Sequence, residues 1–234
     1  MKILLSWSSG KDSAWTLHVL RSRLGVDVAA LLTTFNGVAD RVAMHAVRRT
    51  LVEAQADAAG LPLWNIPLPS PCPNDAYEAL MRDAMQRARD EGFTHVAFGD
   101  LFLEDVRRYR EDRLASAGLT PIFPLWGMAT PALAREMIDG GLEAVVTCVD
   151  PRVIDRQFAG RRFTSAFLTD LPATADPCGE RGEFHTFCWD GPMFAKAIPI
   201  RVGETVERDG FVFKDVLLDR EVPDQTEDTT IAVS

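Results

Sequence analysis

Near the N-terminus six consecutive residues, Ser8, Ser9, Gly10, Lys11, Asp12 and Ser13, bring three hydroxyls, an ammonium group and a glycine into one short stretch. An apolar run, Ile3 to Leu5, precedes them, and amphipathic spacing resumes at Ala14. That is a strand, a tight turn and a helix start. A helix N-terminus offers unpaired N–H groups and the positive end of its dipole, and small residues let an anion approach that backbone closely. With hydroxyl donors and Lys11 added, the stretch has the parts of a phosphate cradle, suited to stabilising a departing anion. Two familiar phosphate loops are excluded by spacing. A Walker A loop ending at Gly10-Lys11 would need glycine at Leu5 and Ser or Thr at Asp12, and no G-x-G-x-x-G is present. A polar turn capped by Asp12 or Ser13 would draw on the same residue types.

Such a loop works only if other elements hold it. The first half of the chain alternates: strands at 2–7, 26–34, 63–68 and 94–98, and helices at 13–23, 42–59 and 74–91, the last with Asn74 as its cap. Continuous apolar strands alternating with helices predict right-handed βαβ units and a parallel sheet covered on both faces. Ligands then bind beyond the carboxyl ends of the strands, at 8–13, 33–37 and 99–104. After residue 125 the texture changes to one helix, one strand, a basic irregular stretch, the Gly-rich "CGERGEFHTFCWDGP" and alternating segments typical of antiparallel strands. The expected organisation is a first domain over 1–125, a smaller α+β domain over 126–225 and a polar tail over 226–234.

The chain has 234 residues, 47% hydrophobic and 25% charged, enough for a sizeable core. A net charge of −9 argues against a broad electrostatic grip on nucleic acid but leaves room for a local basic pocket. The first apolar run is too short for a secretory signal, and no run approaches ~20 apolar residues, so no membrane span and a cytoplasmic location are expected. Cys72, Cys148, Cys178 and Cys188 form no C-x-x-C pair and read as small buried hydrophobes.

The six-residue loop resembles the "SGGKDS" signature of the pyrophosphate-loop enzymes, with Ser9 in place of the usual first glycine. "GDLFLEDVRRYRE" (99–111), "FPLW" (123–126) and "GERGEFHTFCWDGPMF" (179–194) resemble the diphthine–ammonia ligase, or diphthamide synthetase, family, and "WSSGKDSAW" and "EFHTF" look most like its bacterial ATP-binding branch. The resemblance spans nearly the whole chain. It implies a Rossmann-like, HUP-type α/β domain (adenine nucleotide alpha hydrolase-like) with a C-terminal domain facing the ATP site. It also implies ATP-dependent amidation: a carboxylate attacks the α-phosphate, pyrophosphate leaves with help from Mg²⁺ and the loop, and ammonia displaces AMP. Since bacteria lack diphthamide, the resemblance to the bacterial branch makes the expected acceptor a small-molecule or protein-borne carboxylate.

Ser8 to Ser13 are expected to hold the nucleotide's phosphates, Gly99 and Asp100 to meet it from a strand end, and Thr34 and Gly37, at another strand end, to line the adenine pocket. Asp100 is an expected ligand for Mg²⁺ or a nucleotide hydroxyl, or else a turn cap. If "EFHTF" is extended, Glu183 and His185 point to one side, where such a pair can take the proton that ammonium must lose; a structural hydrogen bond is the alternative. Lys11, Glu183 and His185 are thus the expected catalytic groups. Arg161 is expected to grip the substrate carboxylate through a bidentate fork, with Glu180, Gly182, Glu183 and Thr186 lining the substrate side. Arg107, Arg110 and Glu111 have the spacing of a solvated ion-pair face, His45 sits at a helix start where it can cap or face the nucleotide, and His18 and His95 read as structural. Two other activities compete: an RNA sulfurtransferase, which would need paired cysteines or a basic appendage, and a non-catalytic ATP sensor.

Overall fold

The computed structural model describes residues 1–36, 41–42 and 47–219. Strand β1 (Lys2–Ser6) leads into α1 (Lys11–Ser22), followed by β2 (Asp27–Asn36), β3 (Arg41–Val42), α2 (Arg49–Ala59), β4 (Leu63–Leu68), α3 (Asn74–Asp90), β5 (His95–Ala97), α4 (Glu104–Ala117) and β6 (Thr120–Ile122). β1 lies between β2 and β5; β4 runs beside β2 and β6 beside β5, all parallel. The two-residue β3 runs antiparallel against Phe35 and Asn36. Alternation along β1 covers both faces: Ile3 and Leu5 pack with Leu17 of α1 and Leu51 of α2, while Leu4 packs with Ala84 and Ala88 of α3 and Leu114 of α4.

The rest of the chain adds α5 (Thr130–Asp139), β7 (Glu143–Val149), α6 (Ser165–Asp170), β8 (Phe184–Asp190), β9 (Ile200–Arg208) and β10 (Phe211–Leu218). Its four strands pair antiparallel in the order β8-β7-β10-β9. Val145, Phe187, Val212 and Val216 belong to the same continuous apolar cluster as α1 and α2, so the second sheet shares a core with one face of the first. Trp7 meets Phe194 edge-on at 6.3 Å across this junction.

Several local expectations change. The helix expected from Val42 starts only at Arg49, because Val42 pairs with Phe35 and donates its N–H to Val47 O at 2.8 Å. Helical periodicity there yields to pairing with a neighbouring strand that local spacing does not reveal. Asn74 is the first residue of α3, behind Pro73, and supplies no side-chain cap. Cys148, Cys178 and Cys188 are buried, Cys72 is half-buried, and all four are free thiols. Among the described residues no helix is long and apolar enough to cross a membrane. Gly37, His45 and the tail at 226–234 lie outside the described residues.

Candidate active site

The parallel order places the loops after β1 and β5 side by side. In the first, Ser8 Oγ donates to Ser13 Oγ at 3.2 Å, and Ser13 Oγ donates to Gly10 O at 3.0 Å. Ser9 adopts a left-handed backbone, φ 71°, the conformation that the glycine it replaces takes without steric cost. It is fully buried, and its Oγ has no hydrogen-bond partner. The surroundings enforce this geometry. Ser9 O accepts from Cys188 N at 3.0 Å and from Gln55 Nε2 at 2.9 Å, and Gln55 also donates to Cys188 O at 2.6 Å and accepts from Trp7 Nε1 at 2.8 Å. Residues in strained backbone with orphaned polar atoms cluster at ligand sites, where the fold over-determines them.

Lys11 opens α1 and is buried. Its N–H donates to Thr186 Oγ1 at 3.1 Å, which joins β8 to the loop. Its Nζ pairs with Asp12 Oδ2 at 2.9 Å and donates to Cys178 O. Burial opposes the ammonium charge, but Asp12 and further electronegative neighbours outweigh it, leaving the pKa above its ordinary value. Lys11 therefore stays protonated. Asp12 Oδ1 is buried without a hydrogen-bond partner.

Gly99 presses against the start of α1. A Cβ there would stand 3.0 Å from Asp12 C and 3.1 Å from Asp12 O and Ser13 N, so any side chain would push the two loops apart. Asp100 pairs with Arg110 at 2.6 Å. A metal at Asp100 would have to displace a guanidinium, whereas the orphaned Asp12 Oδ1 fits a cation. Arg110 thus leaves the solvated ion-pair face expected for it, while Arg107 and Glu111 do pair there at 2.7 Å.

The Gly-Glu-x-Gly-Glu segment wraps around two carboxylates. Asp176 accepts from Cys178 N at 2.9 Å and from Thr130 Oγ1 at 2.6 Å, and Glu183 accepts from Asp176 N and Arg181 N, each at 2.9 Å. The structure therefore does not join Glu183 to His185 as an acid–base pair: both Glu183 oxygens satisfy loop N–H groups. His185 lines the cleft, its pKa pushed down to about 4 by burial and by the Lys11 charge, so it is neutral near pH 7. Glu180 lines the same cleft and accepts from Leu101 N at 2.8 Å. Burial, with Asp12 and Asp100 adding repulsion against the Leu101 hydrogen bond, raises its carboxyl to about 7. Arg161 lies elsewhere, paired with Asp170 at 2.6 Å and stacked 4.8 Å from the Phe158 ring, outside the cleft lining.

Two adjoining cavities form the cleft. A polar one of about 240 Å³ is bounded by Lys11, Asp12, Ser13, Gly99, Asp100 and Glu180. A larger one of about 720 Å³ lies under α3 and α4, with Leu32, Thr34, Val42, Met81, Met85 and Phe98 among its walls. Ser6, Ser8, Phe98, Arg110 and His185 border both. Sequence reasoning missed Gln55 and Asp176. Gln55 left a signal, a lone amide on the apolar stripe of Leu51, Val52 and Ala59; Asp176 left none in its irregular stretch.

A doubly covered parallel sheet, with a serine-rich loop at its carboxyl end and a second, antiparallel sheet sharing its core, makes a Rossmann-like α/β protein. The chain belongs to the diphthamide synthase family. Residues 1–119 match the family model for the diphthamide synthase N-terminal domain, and residues 129–217 match that for the C-terminal domain. It is similar to the diphthine–ammonia ligase of Danio rerio, 27% identical over 252 residues that cover 98% of each chain. Its similarity to the human diphthine–ammonia ligase is 25% over 238 residues, covering 92% of this chain and 89% of the relative. With that of Schizosaccharomyces pombe it shares 26% over 228 residues, 88% of this chain and 37% of the relative.

Proposed function

We propose that the protein is an ATP-dependent ligase that adenylates a carboxylate and transfers the acyl group to ammonia, the carbon–nitrogen chemistry named for its relatives. The observation that carries this reading is the over-determined loop at Ser8 to Ser13, whose Ser8 borders both cavities and whose Lys11, Asp12 and Ser13 line the polar one, with Asp12 Oδ1 left without a hydrogen-bond partner. The apolar cavity suits adenosine, with Thr34 and Phe98 on its walls. The polar cavity suits phosphates, held by the start of α1, the serine hydroxyls and Lys11.

An acceptor carboxylate oxygen attacks the α-phosphorus, the bond to the β-phosphate bridging oxygen breaks, and pyrophosphate leaves. Ammonia then attacks the acyl carbon, whose bond to the AMP oxygen breaks. Asp12 Oδ1 is the oxygen that fits the Mg²⁺ accompanying the nucleotide, which would neutralise charge on the departing group. Arg110, bordering both cavities, replaces Arg161 as the guanidinium for the acceptor. Glu180, with a carboxyl near neutrality, takes the proton from ammonium. The carboxylate of diphthine, as in the relatives' name, and smaller carboxylates are the acceptors to try. Sulfur transfer is the weaker alternative, because burial pushes the Cys178 and Cys188 thiols well up and keeps them protonated. The test incubates the protein with Mg-ATP, ammonium and a panel of carboxylates, diphthine-bearing protein included. The expected result is AMP, pyrophosphate and amide in equal amounts, with a fall of about a hundred-fold or more in Lys11→Met. ADP with phosphate, or AMP formation indifferent to any carboxylate, would overturn it.

A further inference from the structure

A third cavity, of about 430 Å³, lies on the outer face of the β9–β10 hairpin and shares no lining residue with the cleft. Its walls carry Arg41, Arg48, Arg201, Arg208 and Lys214 against only two carboxylates, Glu204 and Asp215. Such a concentration of cations is at odds with a chain of net charge −9. Asp215 organises part of it, binding Arg41 at 2.9 Å and Arg48 at 2.5 Å, which fixes two guanidinium groups from the first sheet's side of the molecule over the second sheet. Arg201 has no ion-pair partner among the described residues, and Arg208 reaches only Asp209, at 3.6 Å. Both are exposed. Gly203, opposite Asp215, keeps the floor open: a Cβ there would meet Asp215 Cβ at 3.2 Å.

We propose that this cavity binds a small molecule carrying two or more phosphates. Guanidinium forks match phosphate oxygens bidentately, and several converging on one hollow exceed what a single carboxylate or sulfate requires. The Phe213 ring borders the hollow, with the Arg208 guanidinium 5.1 Å from its centroid, so a planar base attached to the phosphates has a surface to stack on. The site stands independently of the ligase reading.

Calorimetric titration of inorganic tripolyphosphate tests it, using the wild type, the Arg201→Glu/Arg208→Glu double variant and the loop variant Lys11→Met, with thermal melts to confirm that each is folded. The double variant touches exposed side chains only. The expected wild-type result is two binding events, one weakened about ten-fold or more in the double variant and unaffected in Lys11→Met. Loss of the loop event alone, with the double variant binding as wild type does, would overturn the proposal. A single wild-type event that disappears in the double variant supports this site while contradicting the loop assignment. ADP in a parallel arm separates the sources: tighter binding than tripolyphosphate assigns the site to nucleotides, and equal binding to oligophosphates without a base.

Discussion

Ser9 combines two costs that the fold tolerates, and replacing it separates them. A left-handed backbone at a non-glycine residue costs about 1–2 kcal/mol, and a buried hydroxyl without a partner costs about 1–3 kcal/mol. Ser9 carries both, with φ 71° and an orphaned Oγ. Ser9→Ala removes only the second and is expected to stabilise the ligand-free protein by about 1 kcal/mol. Ser9→Gly removes both but returns about 0.5–1 kcal/mol through the greater freedom of the unfolded chain, for a net gain of about 1–2 kcal/mol. For a protein of this size each kcal/mol moves Tm by about 2–4 °C. If Oγ is held for the nucleotide, both variants lose a hydrogen bond to a charged group, worth about 1.5 kcal/mol or more, and bind a non-hydrolysable ATP analogue about ten-fold more weakly. Urea denaturation of the free protein, paired with calorimetric titration of the analogue, reads the two effects separately. Variants less stable than wild type with unchanged nucleotide affinity would refute the reasoning, because Ser9 would then be an ordinary packed residue.

Gly99→Ala forces a methyl group to within 3.0–3.1 Å of α1 backbone atoms, and backbone gives less readily than a flexible side chain. It should destabilise by about 1–3 kcal/mol and reduce nucleotide affinity, as read by melting and titration. Gln55→Leu removes the amide that bridges Trp7, Ser9 and Cys188 and should cost about 2–4 kcal/mol in urea denaturation. Because Glu180 must be ionised to accept a proton and its carboxyl lies at about 7, kcat should fall as pH drops through that value, and Glu180→Gln should abolish the inflection. The linked stability runs the other way: a folded-state carboxyl raised from 4.5 to about 7 favours the protonated form, so its contribution is lost as pH rises through that window, and Glu180→Gln should flatten the loss.

The sheet and the loop were legible because their signals are local. Apolar runs of strand length and the small residues around Lys11 each constrain the chain where they stand. The α2 start was not legible, since Val42 is drawn from a helical pattern into pairing with Phe35 by a strand that spacing cannot locate. Alternation put Glu183 and His185 on one side of an extended segment and left a structural hydrogen bond open for Glu183. That residue precedes the strand, and its oxygens are captured by N–H groups of Asp176 and Arg181, a choice made by loop closure. Arg161 is likewise placed by tertiary contacts that spacing does not reveal: it pairs with Asp170 at 2.6 Å, outside the cleft lining. Glu180 was read as a substrate contact, and it is burial in the folded cleft, with Asp12 and Asp100 gathered around it, that raises its carboxyl toward neutrality.

The central claim is that adenosine triphosphate lies with its phosphates against the first turn of α1 and its base beneath α3 and α4. A crystal structure with a non-hydrolysable ATP analogue measures this most directly. The account predicts phosphate oxygens within hydrogen-bond reach of Ser9 Oγ and the α1 N–H groups, with the adenine between Thr34 and Phe98. A nucleotide bound elsewhere, with the Ser8 to Ser13 loop empty, would contradict it.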